Sequence, residues 1–362
     1  MTTTERQLTA LLRLALTGEA HAVLAEPVDW RAIMKAAIDH AVQGIAFAGI
    51  ERLPRHRMPP MPVLMDWMGQ AEKLKTANGV YHTAVARLAE LMDDNRLDYV
   101  VFKGDAVAAT CYGPMRDLRV SGDVDFYVPS WHFDKAVEAV EQQWDTKVDR
   151  CKADKHYAFD ANHVRYEMHY QMETFGRRKH QQRFAQLIDD SLRRGDTPHF
   201  EANGRQVATL TPELDMMLVL KHWTTHLLGE GVGLRQTTDL AAQIMAYKDR
   251  ADTTMLRSSL EAIGYRKAFD AAVAIAERYY GVEWSAWGVN DDSRRDADRL
   301  MATIMRNGNF GRSDYHFTRG RMKRAETTWR FLRHCLRFLN LAPADIACMV
   351  PRRVAISMKA HQ

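Results

Sequence analysis

The sequence predicts an α/β (α+β) protein, a mixed sheet flanked by an N-terminal and a C-terminal helical region, and three observations lead there. Short β-rich runs cluster between residues 98 and 210, at Tyr99-Val100-Val101-Phe102, Val124-Asp125-Phe126-Tyr127-Val128, Tyr157 to Asp160 and His163 to Tyr170. Apolar residues recur at helical spacing through nearly all of residues 1–97, and again beyond 211. With 362 residues, 46% of them hydrophobic and 27% charged, the chain is long enough for two or three domains and a sizeable core. The expected division is 1–97 helical, 98–210 sheet-bearing and 211–362 helical.

In chain order, Leu8, Leu11, Leu12 and Ala15 form one apolar stripe. Trp30, Ile33, Ala36, Ala37 and Ile38 form a second, behind Asp29 as N-cap. Pro54 and the run from Met58 to Pro62 interrupt the pattern before a long helix from about Val63 to Arg96. After the strand ending at Val128, Ser130 is placed to cap a helix from Trp131 to Trp144. Thr146 to Asp149 reads as strand, and the short polar turn Asp160-Ala161-Asn162-His163 joins the next two runs as a hairpin. Asn203-Gly204 closes a second hairpin over 197–210, with type I′ character. Thr211-Pro212-Glu213 then opens a helix that runs to Gly229, and Gly264, Gly281 and Gly308 are expected helix C-caps.

Net charge is only +4, which does not by itself argue for nucleic-acid binding. Cys111, Cys151, Cys335 and Cys348 show no C-x-x-C spacing, which favours reduced thiols over disulfides or structural zinc. The N-terminus lacks the pattern of a signal peptide and no stretch is apolar enough to span a bilayer, so a cytoplasmic location is expected. The last segment carries Arg312, Arg319, Arg321, Lys323, Arg324, Arg330, Arg333, Arg337, Arg352, Arg353 and Lys359 among Trp329, Phe331, Leu332, Leu336, Phe338 and Leu339. Such a stretch packs its apolar stripe on its own domain, or else lies on RNA or an anionic membrane surface.

Asp123 and Asp125 stand two residues apart at the start of a strand, so both carboxylates point to one face. They are a solvent-facing pair or a divalent-cation site, since Mg²⁺ is held by one or two carboxylates plus phosphate oxygens. Lys103-Gly104 ends the preceding strand just before a helix start at Asp105, where glycine allows backbone to approach a phosphate closely. In Val164 to Tyr170, alternation puts Val164, Tyr166, Met168 and Tyr170 on one face and Arg165, Glu167 and His169 on the other. His222 and His226 have the spacing of a zinc helix, but Trp-Thr-Thr stands between them with no glutamate, which argues against zinc.

The order strand, Lys103-Gly104, helix, Tyr112, Arg116, Arg119-x-Ser121-x-Asp123-x-Asp125, strand resembles the signature of the DNA polymerase beta-like nucleotidyltransferase superfamily. It is most similar to the bacterial "uncharacterised nucleotidyltransferase" branch. The resemblance implies a nucleotidyltransferase palm over 98–210 and transfer of a nucleoside monophosphate from an NTP to an acceptor hydroxyl, with pyrophosphate leaving. Asp123 and Asp125 would hold Mg²⁺ (or Mn²⁺), and Glu167 would be the third metal ligand or the general base, with His169 beside it. Lys103, Gly104, Arg119 and Ser121 would contact the nucleotide. The stretch from Leu220 to Gln243 is similar to the family's second landmark, implying that Lys221, His222, Arg235 and Asp239 face the same cleft. Where the superfamily has Gly-Ser or Gly-Gly, this chain has Gly104-Asp105, which leaves open a degenerate member that binds nucleotide without turnover. Nucleic acid is possible but not implied as a partner, and an RNA or membrane-surface adaptor using the basic C-terminal segment is the non-enzymatic alternative.

Overall fold

The computed structural model describes residues 1–19, 24, 27–151, 155–229, 231–307 and 324–359, with backbone alone for 307, 324–328, 330 and 352–359. The fold is mixed α+β, mostly helical with a small mixed sheet. The chain begins with helices α1 (Thr3–Thr17), α2 (Trp30–Asp39) and α3 (Gln43–Glu51), which bury the first predicted stripe and Ile33 and Ala37 of the second, while Trp30 and Ala36 are half-buried and Ile38 is exposed. Asp29 caps α2 as its sequence position requires, its carboxylate accepting from the Ala32 amide at 3.0 Å.

Helix α4 (Met61–Asp94) belongs to two cores. Val63, Trp67 and Ala71 in its first half pack with α1–α3, whereas Ala84, Val85, Leu88, Ala89 and Met92 in its second half pack on the sheet. Its face changes neighbours along its length, which is why its apolar pattern is broad rather than a single stripe.

The main sheet has the order β1-β2-β4-β3, with β1 (Val100–Val101), β2 (Val124–Tyr127), β3 (His156–Ala161) and β4 (Val164–His169). β2 runs antiparallel to β1 and parallel to β4, and β3 is antiparallel to β4. Helix α5 (Gly104–Cys111) follows β1, and α6 (Phe133–Gln143) follows β2. α6 starts two residues later than its sequence suggests: His132, not Ser130, is the N-cap, because Pro129 to His132 closes as a turn through the His132 amide. The expected strand at Thr146 to Asp149 reduces to one bridge, Asp149 to Ala158.

Strands β5 (His199–Ala202) and β6 (Arg205–Ala208) form the second hairpin. Asn203 and Gly204 between them have φ of 46° and 82°, as a type I′ turn demands. Helix α7 (Arg178–Arg194) precedes this hairpin, and beyond the hairpin the elements among the described residues are helices: α8 (Pro212–Leu228), α9 (Leu234–Tyr247), α10 (Thr253–Ile263), α11 (Arg266–Tyr280), α12 (Asp291–Asn307), α13 (Arg324–Arg337) and α14 (Pro343–Lys359). Gly264 and Gly281 are left-handed C-caps as expected. Thr211 has the extended backbone of an N-cap, but its hydroxyl makes no capping bond. Gly308, Arg312, Arg319, Arg321 and Lys323 lie outside the described residues. Among the described residues, no helix is long and apolar enough to cross a membrane.

Asp215 in the first turn of α8 shows how these helices are joined. It is buried, and its carboxylate accepts from Gln243 Nε2 at 2.7 Å and from the Tyr247 hydroxyl at 3.1 Å, both on α9. Burial pushes its carboxyl up from 3.8 to about 6, only partly offset by those two bonds. A carboxyl whose pKa is higher in the folded chain stabilises the fold below the unfolded value and loses that contribution as pH rises through the folded one. Asp215→Asn, which does not titrate, should therefore gain on the wild type by up to ~3 kcal/mol between pH 4 and pH 7.5. Denaturant unfolding at both pH values checks this, and an unchanging difference between the two proteins would contradict it.

Candidate active site

Strand alternation and register bring the site together. Asp125 lies opposite Glu167 and Tyr127 opposite His169 in the parallel pair, while His156 lies opposite His169 across the hairpin. Val124, Phe126, Tyr166 and Met168 turn into the core against α4 and α6. Asp125, Glu167, His169 and His156 are thereby turned to the other face. His169 is fully buried, so this face is not a plain solvated one. Asp123, just before β2, shares it: its carboxyl is raised to about 6 by burial first and by the charges of Asp125 and Glu167 next. Asp123 thus feels the charges of Asp125 and Glu167, but among the described residues the ligand atoms that come within 4.8 Å of one another are those of His156, Glu167 and His169.

Asp125 Oδ1 is held by two neighbours, Lys103 Nζ at 3.3 Å and His169 Nε2 at 2.9 Å. Burial pushes the Asp125 carboxyl up, but Lys103 and His169 outweigh it and hold it well below the usual range. Glu167 is lowered too: burial opposes, and the hydrogen bond from His169 prevails. Lys103 stands at φ 55°, where a residue with a side chain is strained by about 1–3 kcal/mol. Gly104 follows at φ 22°, and a Cβ there would come 3.4 Å from the Asp123 carbonyl oxygen. The Lys-Gly turn therefore abuts the D-x-D segment, as the sequence order implied.

Asp105 is buried at the start of α5, and its charge is answered locally. Arg116 Nη2 lies 3.0 Å from Oδ2, and His82 Nε2 lies 3.0 Å from Oδ1.

Helices α8 and α9 meet the site only in part. Arg235 donates to the Val120 carbonyl at 3.3 Å and is near enough to Asp123 to lower its carboxyl pKa. His222 Nδ1 lies 3.0 Å from Glu173 Oε1. Burial first, then Lys103, lowers the His222 pKa to about 4. Lys221 does not face the cleft. One residue from His222 on a helix means a rotation of about 100°, and its ammonium sits 3.1 Å from Asp345 Oδ2 of α14, over the rings of Phe175 and Tyr265. Asp239 is likewise spent on structure: Arg119 Nε and Nη2 grip it at 2.8 and 2.7 Å, and the Tyr112 hydroxyl donates to it at 2.8 Å. Arg119, committed to Asp239, also reaches Ser121 Oγ at 3.4 Å. Both residues belong to the segment that leads into the D-x-D.

The sequence reading missed Glu173, Lys155 and His156. Glu173 is buried just past β4, with Lys155 Nζ at 2.8 Å, His222 at 3.0 Å and Lys103 at 4.0 Å. No local pattern marks it. His156 was recoverable, since counting back through the hairpin turn places it opposite His169.

A family model described as "Uncharacterised nucleotidyltransferase" matches residues 26–281, and the chain belongs to that family. Among solved structures it is similar to an antigenic nucleotidyltransferase-like protein from Paracoccidioides brasiliensis. That likeness has 16% identity over 53% of this chain and 90% of the other, with a TM-score of 0.33. No curated protein matches it.

Asp239→Ala should cost about 3–5 kcal/mol in denaturant unfolding, because it strands the buried Arg119 guanidinium. Arg235→Ala, which loses a bond to a backbone carbonyl, should cost only about 1 kcal/mol. Equal costs for the two would contradict this division between scaffold and cleft.

Proposed function

We propose that the chain is a nucleotidyltransferase whose palm spans about residues 98–210, moving an NMP from an NTP to an acceptor hydroxyl on a small molecule, protein or RNA and releasing pyrophosphate. The observation that carries this reading is the gathering of Asp123, Asp125 and Glu167 on one sheet face in a member of a nucleotidyltransferase family. Their donor set, all oxygen, fits Mg²⁺ or Mn²⁺, and the Asp123 carboxyl is raised by burial first and by the charges of Asp125 and Glu167 next. Asp123, Asp125 and Glu167 are the residues that would hold the ion, which when bound supplies neutralisation of phosphate charge.

The chain's own groups do the rest. Gly104 and the first amides of α5 lie beside Asp123, where backbone N–H groups can receive phosphate oxygens. Lys103 and Arg235 are the cations nearest the acidic cluster and suited to the charge that grows on the leaving pyrophosphate. Glu167, only part-buried, is placed to take the acceptor's proton. The acceptor oxygen bonds to the α-phosphorus as the bond to pyrophosphate breaks. Asp105 does not weigh against this, because Arg116 already pairs with it. A cytoplasmic setting fits four unpaired thiols.

One observation favours the degenerate alternative, binding without turnover: Asp125 Oδ1 is already shared by Lys103 and His169. An RNA or membrane-surface adaptor would rest on the basic segment, much of which lies outside the described residues.

Thermal melting with and without Mg²⁺ and NTP tests the site. A ligand at a hundred times its Kd stabilises by about 2.7 kcal/mol, a shift of a few degrees for a chain of this size. Asp123→Asn should abolish that response and raise the melting point of the protein alone slightly, since a repelling charge is gone. If both proteins respond equally to Mg²⁺ and NTP, the acidic cluster is not the metal site.

A further inference from the structure

Among the described residues, His156, Glu167 and His169 are the one group of metal-ligating side chains that converge closely, their ligand atoms all within 4.8 Å of one another. His156 Nδ1 lies 3.3 Å and His169 Nε2 lies 3.5 Å from the same Glu167 Oε2. Ligands about 2.0–2.2 Å from a tetrahedral cation stand roughly 3.4 Å apart, so these two separations are those of ligands around one ion. The fold holds the three rigidly: Glu167 and His169 are i and i+2 on β4, and His156 is the cross-strand partner of His169.

The orientation of His169 adds a separate argument. Its Nδ1 faces the Gln171 carbonyl oxygen at 3.4 Å. Nε2 is the ring atom that meets the Asp125 and Glu167 carboxylates, at 2.9 and 3.5 Å, and so the one turned toward an ion held there. The ring is fixed on its far side by an edge contact with Phe102 at 5.0 Å. The His156 and Glu167 side chains are part-exposed, which leaves the cluster open to solvent on that side.

We propose that His156, Glu167 and His169 form a binding site for a transition-metal dication such as Zn²⁺ or Co²⁺, beside the Asp123/Asp125 pair and distinct from the proposed Mg²⁺ site, with which it shares Glu167. Two imidazoles and one carboxylate are a borderline donor set that suits such ions, whereas Mg²⁺ wants an all-oxygen octahedron. Asp125 Oδ1, 2.9 Å from His169 Nε2, is the nearest candidate for a fourth ligand. The site shares Glu167 with the acidic cluster but uses nothing of Asp123, and it stands whether or not the chain transfers nucleotides.

The test is titration of the metal-stripped full-length chain with Co²⁺, read by its visible absorption, and then with Zn²⁺ in competition. The expected result is one Co²⁺ per chain, displaced by Zn²⁺ but not by a tenfold excess of Mg²⁺. His156→Ala and Glu167→Gln, each checked for an intact melting transition, should each weaken Co²⁺ binding at least tenfold. Asp123→Asn should keep Co²⁺ affinity within about threefold while losing the response to Mg²⁺ and NTP, so this site and the nucleotidyltransferase reading fail independently. Absence of stoichiometric binding, displacement by Mg²⁺, or unchanged affinity in the folded His156→Ala and Glu167→Gln variants would overturn the proposal.

Discussion

A carboxylate sealed from water must be paired or it unfolds its surroundings, and Asp125 is such a carboxylate, 5% exposed. Its two partners come from the two neighbours of β2: Lys103 from the segment just after β1, His169 from the last residue of β4. Meeting that one requirement therefore constrains both neighbours of β2. A one-residue slip of β4 would turn His169 and Glu167 into the apolar core and Met168 out of it. The hydrophobic face and the charged face thus enforce the same register, and this agreement is what makes a four-strand sheet able to hold so much unlike charge.

The charge continues inward from Asp125 in alternating signs. Lys103 touches Asp125 and approaches Glu173, which is also gripped by Lys155 and His222, and His226 lies 3.1 Å beyond His222. Such a network stabilises only when complete, since removing any member leaves another buried and unpaired. It also ties the segment after β4 to α8. The Arg119–Asp239 pair makes the second such tie, from the D-x-D loop to α9.

Much of this was legible in the sequence because it obeys short-range rules. The alternation in Val164 to His169, the Asn203-Gly204 turn and the D-x-D ahead of an apolar run each follow from periods of two or from local backbone sterics. What was not legible depends on contacts across long stretches of chain. Lys221 could be placed on a helix, but its partner Asp345 is more than a hundred residues away, and nothing near Lys221 announces it. Asp239 looked like part of a ligand wall until Arg119 was seen to occupy both of its oxygens. Glu173 follows β4 in a stretch without periodicity, so only tertiary packing reveals it. The helix cap at His132 rather than Ser130 is a smaller case of local rules giving two acceptable answers, with the turn at Pro129 choosing between them.

The central claim is that the acidic face of this sheet directs an acceptor to the α-phosphorus of a nucleotide. Incubation with Mg²⁺, fractionated cell lysate and NTP labelled either at the α- or at the γ-phosphate tests it most directly. The account predicts that α-label becomes attached to an acceptor while γ-label leaves as pyrophosphate, and that Asp125→Asn, verified to be folded, does neither. Transfer of the γ-label to the acceptor, or equal α-label transfer by wild type and variant, would contradict it.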